Sequence, residues 1–268
     1  MKLAYMYATP DVSPARVTAI QGEIGPTLAR IRRTGYSGVE LLVRDPRRID
    51  AEELESAVRL EGLDVPAICT GEVYGEDGLS FADPDPVTRS RARDRMLASL
   101  ELASRFGAMV NVGRLRGRYV EGVDPRQTMD WITESIAACA KSYQDTAVVM
   151  EPVNRQYANC LLNTAETMDF IRSINLPNVG IMLDSVHMMV EGEDIIASMQ
   201  ASASHFWHFH ISDSDRLPVG RGSYRIKEFM DALAAMEFRR YVAVETFQIP
   251  DGDRAIQASF DSLRPYFN

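Results

Sequence analysis

Four residues able to ligate a cation stand at or near the ends of four successive apolar runs. Glu151 closes VVM, Asp184 closes GIML, His210 lies within FWHFHIS, and Glu245 closes VAV. Pro152 follows Glu151 at once and stops a strand there, because proline has no N–H to give to a ladder. Three carboxylates and one imidazole make a hard, oxygen-rich donor set. Such a set favours Mn2+, with Mg2+ or Co2+ as alternatives, over a structural zinc. Each residue taken alone also has an ordinary use: a glutamate can cap a turn, Asp184 can start a helix, and His210 can be a satisfied core histidine. Four consecutive strand ends of this kind argue for one site binding one divalent metal ion, with positions left open for substrate oxygens.

The elements that must position these residues can be read from apolar periodicity. Strand-like runs fall at residues 3–7, 38–43, 65–70, 109–112, 147–151, 179–184, 206–212 and 241–247. Helical spacing falls between and after them, at 24–34, 51–61, 86–106, 125–143, 164–174, 194–204, 226–236 and 254–267. Asp50 and Asp124 suit N-caps, and Asn163-x-x-Glu166 resembles a capping box. Gly35, Gly62 and Gly107 each follow a helical run, where a left-handed C-cap is expected. Strict alternation of strand and helix predicts an α/β fold, a single (β/α)8 TIM barrel spanning residues 1–268 as one domain. An open doubly wound sheet is the alternative, but the first junction, YATPDVSPAR, lacks its glycine-rich phosphate turn. In a barrel all strand C-termini open on one face, so the four candidates would be neighbours around half a rim.

Composition narrows the partners. With 29 Lys and Arg against 38 Asp and Glu the net charge is −9, which argues against nucleic-acid binding through a broad basic face. No run approaches the roughly 20 apolar residues of a membrane span. The start, MKLAYMYATPD, reads as a first strand and not a signal peptide. Cys69, Cys139 and Cys160 have no CxxC spacing and sit in apolar or helical contexts, as expected of buried thiols in a reducing cytoplasm. A cytoplasmic location is therefore expected.

The succession MEPVNR, LDSVHM, HFHISDSDR with a following GRG, and VAVETF resembles the xylose-isomerase-like barrels known as sugar (phosphate) isomerases and epimerases. Within them it is most similar to ketose 3-epimerases of the tagatose/psicose type. The resemblance implies that Glu151, Asp184, His210 and Glu245 bind the metal, and that Glu151 and Glu245 do the proton chemistry. One glutamate would remove the proton α to a ketose carbonyl, and the other would return one to the opposite face of the enediolate, inverting C3. His187 and Arg216 match the family's substrate contacts. Such barrels are commonly homo-oligomers, a dimer or tetramer, and act on small sugars.

The chain departs from this pattern at one position. The epimerases carry a glutamate six residues after the metal-binding glutamate of strand 5, where this chain has Tyr157. A tyrosine offers a hydrogen bond but no negative charge at neutral pH, so the grip on substrate hydroxyls is altered. After strand 4, GRLRGRY places Arg114, Arg116 and Arg118 near the active face, and arginine forks suit a carboxylate or phosphate. Arg114, Arg116 and Tyr157 are therefore candidate substrate contacts, and the substrate is expected to be a sugar that can carry an anionic group. The same metal site could serve a lyase, decarboxylase or dehydratase acting on an anionic keto-sugar or sugar acid.

Overall fold

A computed structural model describes residues 1–14 and 17–267; the last two residues of YATPDVSPAR and Asn268 lie outside them. Eight strands form the framework: β1 Lys2–Ala8, β2 Gly38–Leu42, β3 Ala67–Cys69, β4 Met109–Val112, β5 Val148–Met150, β6 Val179–Asp184, β7 Phe206–Ile211 and β8 Tyr241–Val244. Each pairs in parallel with the next, and β8 pairs with β1, closing the barrel. Around it lie α1 Ile24–Thr34, α2 Ala51–Glu61, α3 Gly71–Gly75, α4 Pro86–Phe106, α5 Pro125–Ser142, α6 Thr164–Ile174, α7 Ser185–Glu191, α8 Ile195–Ser202, α9 Ile226–Ala235 and α10 Gly252–Leu263.

The expected helix boundaries rest on local chemistry that the structure contains. Asp50 accepts the N–H groups of Glu52 and Glu53, and Asp124 accepts that of Arg126. Asn163 accepts the Glu166 N–H, while the Glu166 carboxylate reaches back to the N–H of Leu162. Gly35, Gly62 and Gly107 adopt φ of 119°, 60° and 62°, so their N–H groups turn back onto the last helical carbonyls. Two short helices lie outside the periodic pattern: α3, one residue beyond the end of β3, and α7, directly after β6, of which the sequence showed only a start at Asp184. Each is too short for a periodic apolar stripe to show.

Strand alternation sorts the side chains into two populations. Outward-facing Val39, Leu41, Val148, Met150, Ile181, Leu183, Val242 and Val244 join the main apolar core beneath the helices. Inward-facing positions carry the chemistry. At β7 the alternation breaks once: Ile181 pairs with Phe206 but Met182 pairs with His208, leaving Trp207 as the extra residue of a bulge. Phe206 and Phe209 can thus both pack in the outer core, while His208 and His210 both turn into the barrel. Among the described residues no helix is long and apolar enough to cross a membrane.

Candidate active site

The ends of β5 to β8 bring Glu151, Asp184, His210 and Glu245 together. One ligand atom from each lies within 4.8 Å of all the others. His210 turns Nδ1 toward the carboxylates, 3.1 Å from Glu245 Oε2, 3.7 Å from Asp184 Oδ2 and 3.9 Å from Glu151 Oε1. These separations suit one ion with ligands at about 2.1–2.2 Å, whose neighbouring donors stand roughly 3 Å apart and opposite ones roughly 4.4 Å. The donor chemistry also fits, since the buried carboxylates outnumber the neighbouring cation, Arg216, by three to one.

Each ligand is held by its surroundings. Asp184 divides its carboxylate: Oδ1 caps α7 by accepting the N–H groups of Val186 and His187 at 2.7 and 3.1 Å, which leaves Oδ2 for the cluster. The helix-start and site readings of this residue thus both apply, one per oxygen. Asn111 on β4 donates to Glu151 Oε2 at 3.1 Å. Gly113 makes room for that carboxylate, because a β-carbon there would stand 2.5 Å from Oε2. Thr18 donates to Glu245 Oε1 at 2.7 Å. Behind His210, Glu40 on β2 accepts from its Nε2 at 2.8 Å and from His208 Nε2 at 2.6 Å.

The two glutamates differ electrostatically. Burial pushes the Glu151 carboxyl up; His210 draws it back, but Glu245 and Asp184 add to the rise, leaving it at about 7. Burial acts on Glu245 in the same sense, yet Arg216, His210 and Thr18 together hold it well below the usual carboxylate range. Burial also lowers His187 to about 4, so this ring is neutral near pH 7. Its Nε2 lies 3.7 Å from Glu151 Oε1, and its Nδ1 meets the Asn154 side chain at 2.9 Å.

Arg216 stands at the cluster itself. Its Nη1 donates to Asp184 Oδ2 at 2.6 Å and to Glu245 Oε2 at 2.8 Å, and its Nη2 lies 3.3 Å from His187 Nε2. It is buried, and it and Asp215 adopt φ of 58° and 57°, a conformation non-glycine residues seldom take. Tyr157 stands 48% exposed at the mouth, its ring edge-on to His187 at 6.2 Å between centroids.

The arginines after β4 differ from expectation. Arg116 is fully buried, and its guanidinium donates to the carbonyls of Gly113, Glu151, Cys160 and Leu161. It ties the end of β5 to the following loop and does not line the cavity. Sequence could not show this, because carbonyl acceptors carry no residue identity. Arg114 does line the cavity, but its Nη2 donates to Glu72 Oε1 at 2.7 Å, with Gly71 and Gly75 leaving room for the pair. Arg118 is exposed. Of the arginines that suggested an anionic substrate, Arg114 and Arg116 are thus engaged by the protein itself.

A cavity of about 340 Å3 opens over the cluster, lined by Glu151, His187, Arg216 and Glu245 on one side and by Glu72, Glu76 and Arg114 on the other, with Tyr157 at its edge. A larger groove of about 710 Å3, between Pro218 and α10, contains none of the four ligands. Glu40, His208, Asn111, Thr18 and Glu72 are the residues that sequence reasoning missed. Only Glu40 left a trace, a carboxylate in the middle of the apolar strand GVELL.

The profile of the xylose isomerase-like TIM barrel family matches residues 28–266. The chain belongs to that family. It is 25% identical over 233 residues to a probable ketose 3-epimerase of Synechocystis, covering 84% of this chain and 78% of the relative. It is likewise 25% identical over 229 residues to a 3-dehydro-D-guloside 4-epimerase of Escherichia coli, covering 80% and 84%. Among solved structures, a D-psicose 3-epimerase of Clostridium cellulolyticum with D-tagatose superposes over the whole of both chains, with a TM-score of 0.84 at 20% identity. At that identity the superposition speaks for the barrel alone.

Proposed function

We propose that this family member is a divalent-metal-dependent epimerase that inverts a keto-sugar at the carbon beside its carbonyl, most simply C3 of a ketose. The observation that carries the reading is the pair Glu151 and Glu245, brought from β5 and β8 into one cluster that lines a sugar-sized cavity. Glu151, Asp184, His210 and Glu245 would hold the ion, with Mn2+, Mg2+ or Co2+ suited to this donor set. When bound, it supplies Lewis-acid stabilisation of the negative charge that builds on the substrate oxygens.

The chain's own residues do the rest. Glu245 on β8 and Glu151 on β5 both line the cavity, placed for one to remove the proton α to the carbonyl and the other to deliver one to the other face. In the reverse direction the two exchange roles. Arg216 and neutral His187 stand beside both carboxylates as donors for the developing enediolate charge. Tyr157 at the mouth shields the site and can offer its hydroxyl to the substrate.

A second placement of the carbonyl has its own support. The resemblance to a 3-dehydro-D-guloside 4-epimerase, together with tyrosine in place of a glutamate at 157, favours a keto-glycoside inverted at C4 by the same two proton transfers. A lyase or decarboxylase acting on a sugar acid loses its main support, because Arg116 faces carbonyls and Arg114 is met by Glu72. Incubation with Mn2+ in D2O against ketoses, 3-keto-glycosides and keto sugar acids tests all three. Deuterium entering C3 of a ketose supports the first placement and entering C4 of a keto-glycoside the second. Product from a keto acid with no exchange into any neutral ketone would overturn both.

A further inference from the structure

Glu40 lies deep in the barrel with none of its surface exposed, away from the cavity lining. Its two oxygens meet two imidazoles, Oε1 that of His210 and Oε2 that of His208, in each case at Nε2. The β7 bulge makes this possible by turning both rings inward, where they stand edge to face with centroids 5.3 Å apart. An ionised carboxylate only accepts, so both Nε2 atoms must be donors. With Nε2 of His210 committed to Glu40, Nδ1 is the ring atom left for the cluster, and it is the atom that faces Glu245, Asp184 and Glu151.

The trio of Glu40, His208 and His210 could itself be taken for a cation site. The distances argue otherwise. Neighbouring ligands of one ion stand about 3.0–3.4 Å apart, whereas 2.6 and 2.8 Å are direct hydrogen bonds. His208 does not reach the cluster, and its own Nδ1 is buried without a partner. Among the described residues its ring makes a single polar bond, the one to Glu40, which makes it an anchor for the carboxylate.

We propose that Glu40, braced by His208, is a positioning residue that orients His210 so that Nδ1, and no other ring atom, is presented to a divalent cation at Glu151, Asp184 and Glu245. The proposal rests on reading that cluster as a metal site. An acceptor behind a ligating imidazole fixes ring orientation and raises its basicity, and loss of such a partner typically costs 10–100-fold in metal affinity. A bare scaffold role would not need an ionised group, since buried charged networks can often be replaced by apolar residues without loss.

The test is Mn2+ titrated calorimetrically into metal-stripped protein, with thermal unfolding of the same metal-free samples recorded alongside. Glu40→Gln keeps the shape but turns one acceptor into a donor, so Kd for Mn2+ should rise roughly 10–100-fold. His208→Gln removes the brace and leaves Glu40, so a smaller rise is expected. Unchanged Mn2+ affinity in both variants, with only the metal-free unfolding temperature lowered, would overturn the proposal. If Glu40→Gln does not fold, His208→Gln decides alone: a raised Kd supports it, an unchanged one overturns it. Wild-type protein that binds no Mn2+ would overturn the metal-site reading first, an outcome distinct from wild type and variants binding alike.

Discussion

Two ionic assemblies sit on the catalytic face, one buried and one half-buried, and they are built differently. At the ends of β5 to β8, three carboxylates crowd around one arginine and one imidazole. On the opposite rim, Arg44 and Arg95 interlock with Asp45, Glu76 and Asp77, and Ser13 adds a donor to Glu76. Nearby, Asp11 takes the backbone N–H groups of Arg44 and Asp45. The rim network sets two arginines against three carboxylates, and each of the three is paired with an arginine. In the cluster Arg216 pairs with Asp184 and Glu245, while Glu151 faces the cavity with no arginine side chain as partner among the described residues, and a buried carboxylate left so calls for a further cation. Deeper burial together with incomplete pairing separates site from scaffold.

The comparison can be broken most sharply by removing metal. Chelation should drive epimerase activity to background, restored by Mn2+. It should also lower the unfolding temperature, since metal at a hundredfold excess over its Kd adds about 2.7 kcal/mol. Activity untouched by exhaustive chelation would end the distinction. Next in size is Glu245→Gln, which should lower kcat by roughly 10²–10⁴-fold as the proton-transfer group is lost. Full activity in this variant would rule out the two-glutamate scheme.

Changes to the scaffold should invert that pattern. Arg116→Lys replaces a fork bonded to four carbonyls by a single ammonium, and should cost about 3 kcal/mol of stability with little change in Mn2+ affinity. Asp77→Asn in the rim network should cost less, roughly 1–2 kcal/mol at pH 7. Burial would raise Asp77, but Arg44 and Arg95 depress it overall. A carboxylate depressed in the folded state stabilises fully above its unfolded value, about 4, and the contribution is lost as pH falls below that. The wild type should therefore approach the variant's stability in urea titrations between pH 4 and 2; a constant gap would show that Asp77 does not carry the effect. The smallest change is expected at half-exposed Tyr157, where Phe should alter kcat/KM less than tenfold.

Much of this architecture was legible because it is written in local terms. Short apolar runs marked all eight strands, and Asp50, Asp124 and the αL glycines marked helix ends. The four cluster residues were legible because each directly follows or interrupts such a run. Glu40 and His208 were hidden by the same alternation, since nothing in GVELL or FWHFHIS says which opposite strand a polar side chain will meet. Arg116 misled because an arginine between glycines resembles an anion-binding turn, while its actual partners are backbone carbonyls up to 45 positions away.

The sequence by itself determined the order of strands and helices, the closing of a barrel, and the residue types at four strand ends, because these follow from hydrophobic period and chain order. The tertiary structure alone decided which oxygen of Asp184 caps a helix and which faces the cluster, that Arg114 and Arg116 are occupied by the protein, and that Glu40 stands behind His210. Those outcomes depend on distances across the barrel between residues as many as 170 positions apart. No local pattern encodes such distances; they exist only once the eighth strand has paired with the first.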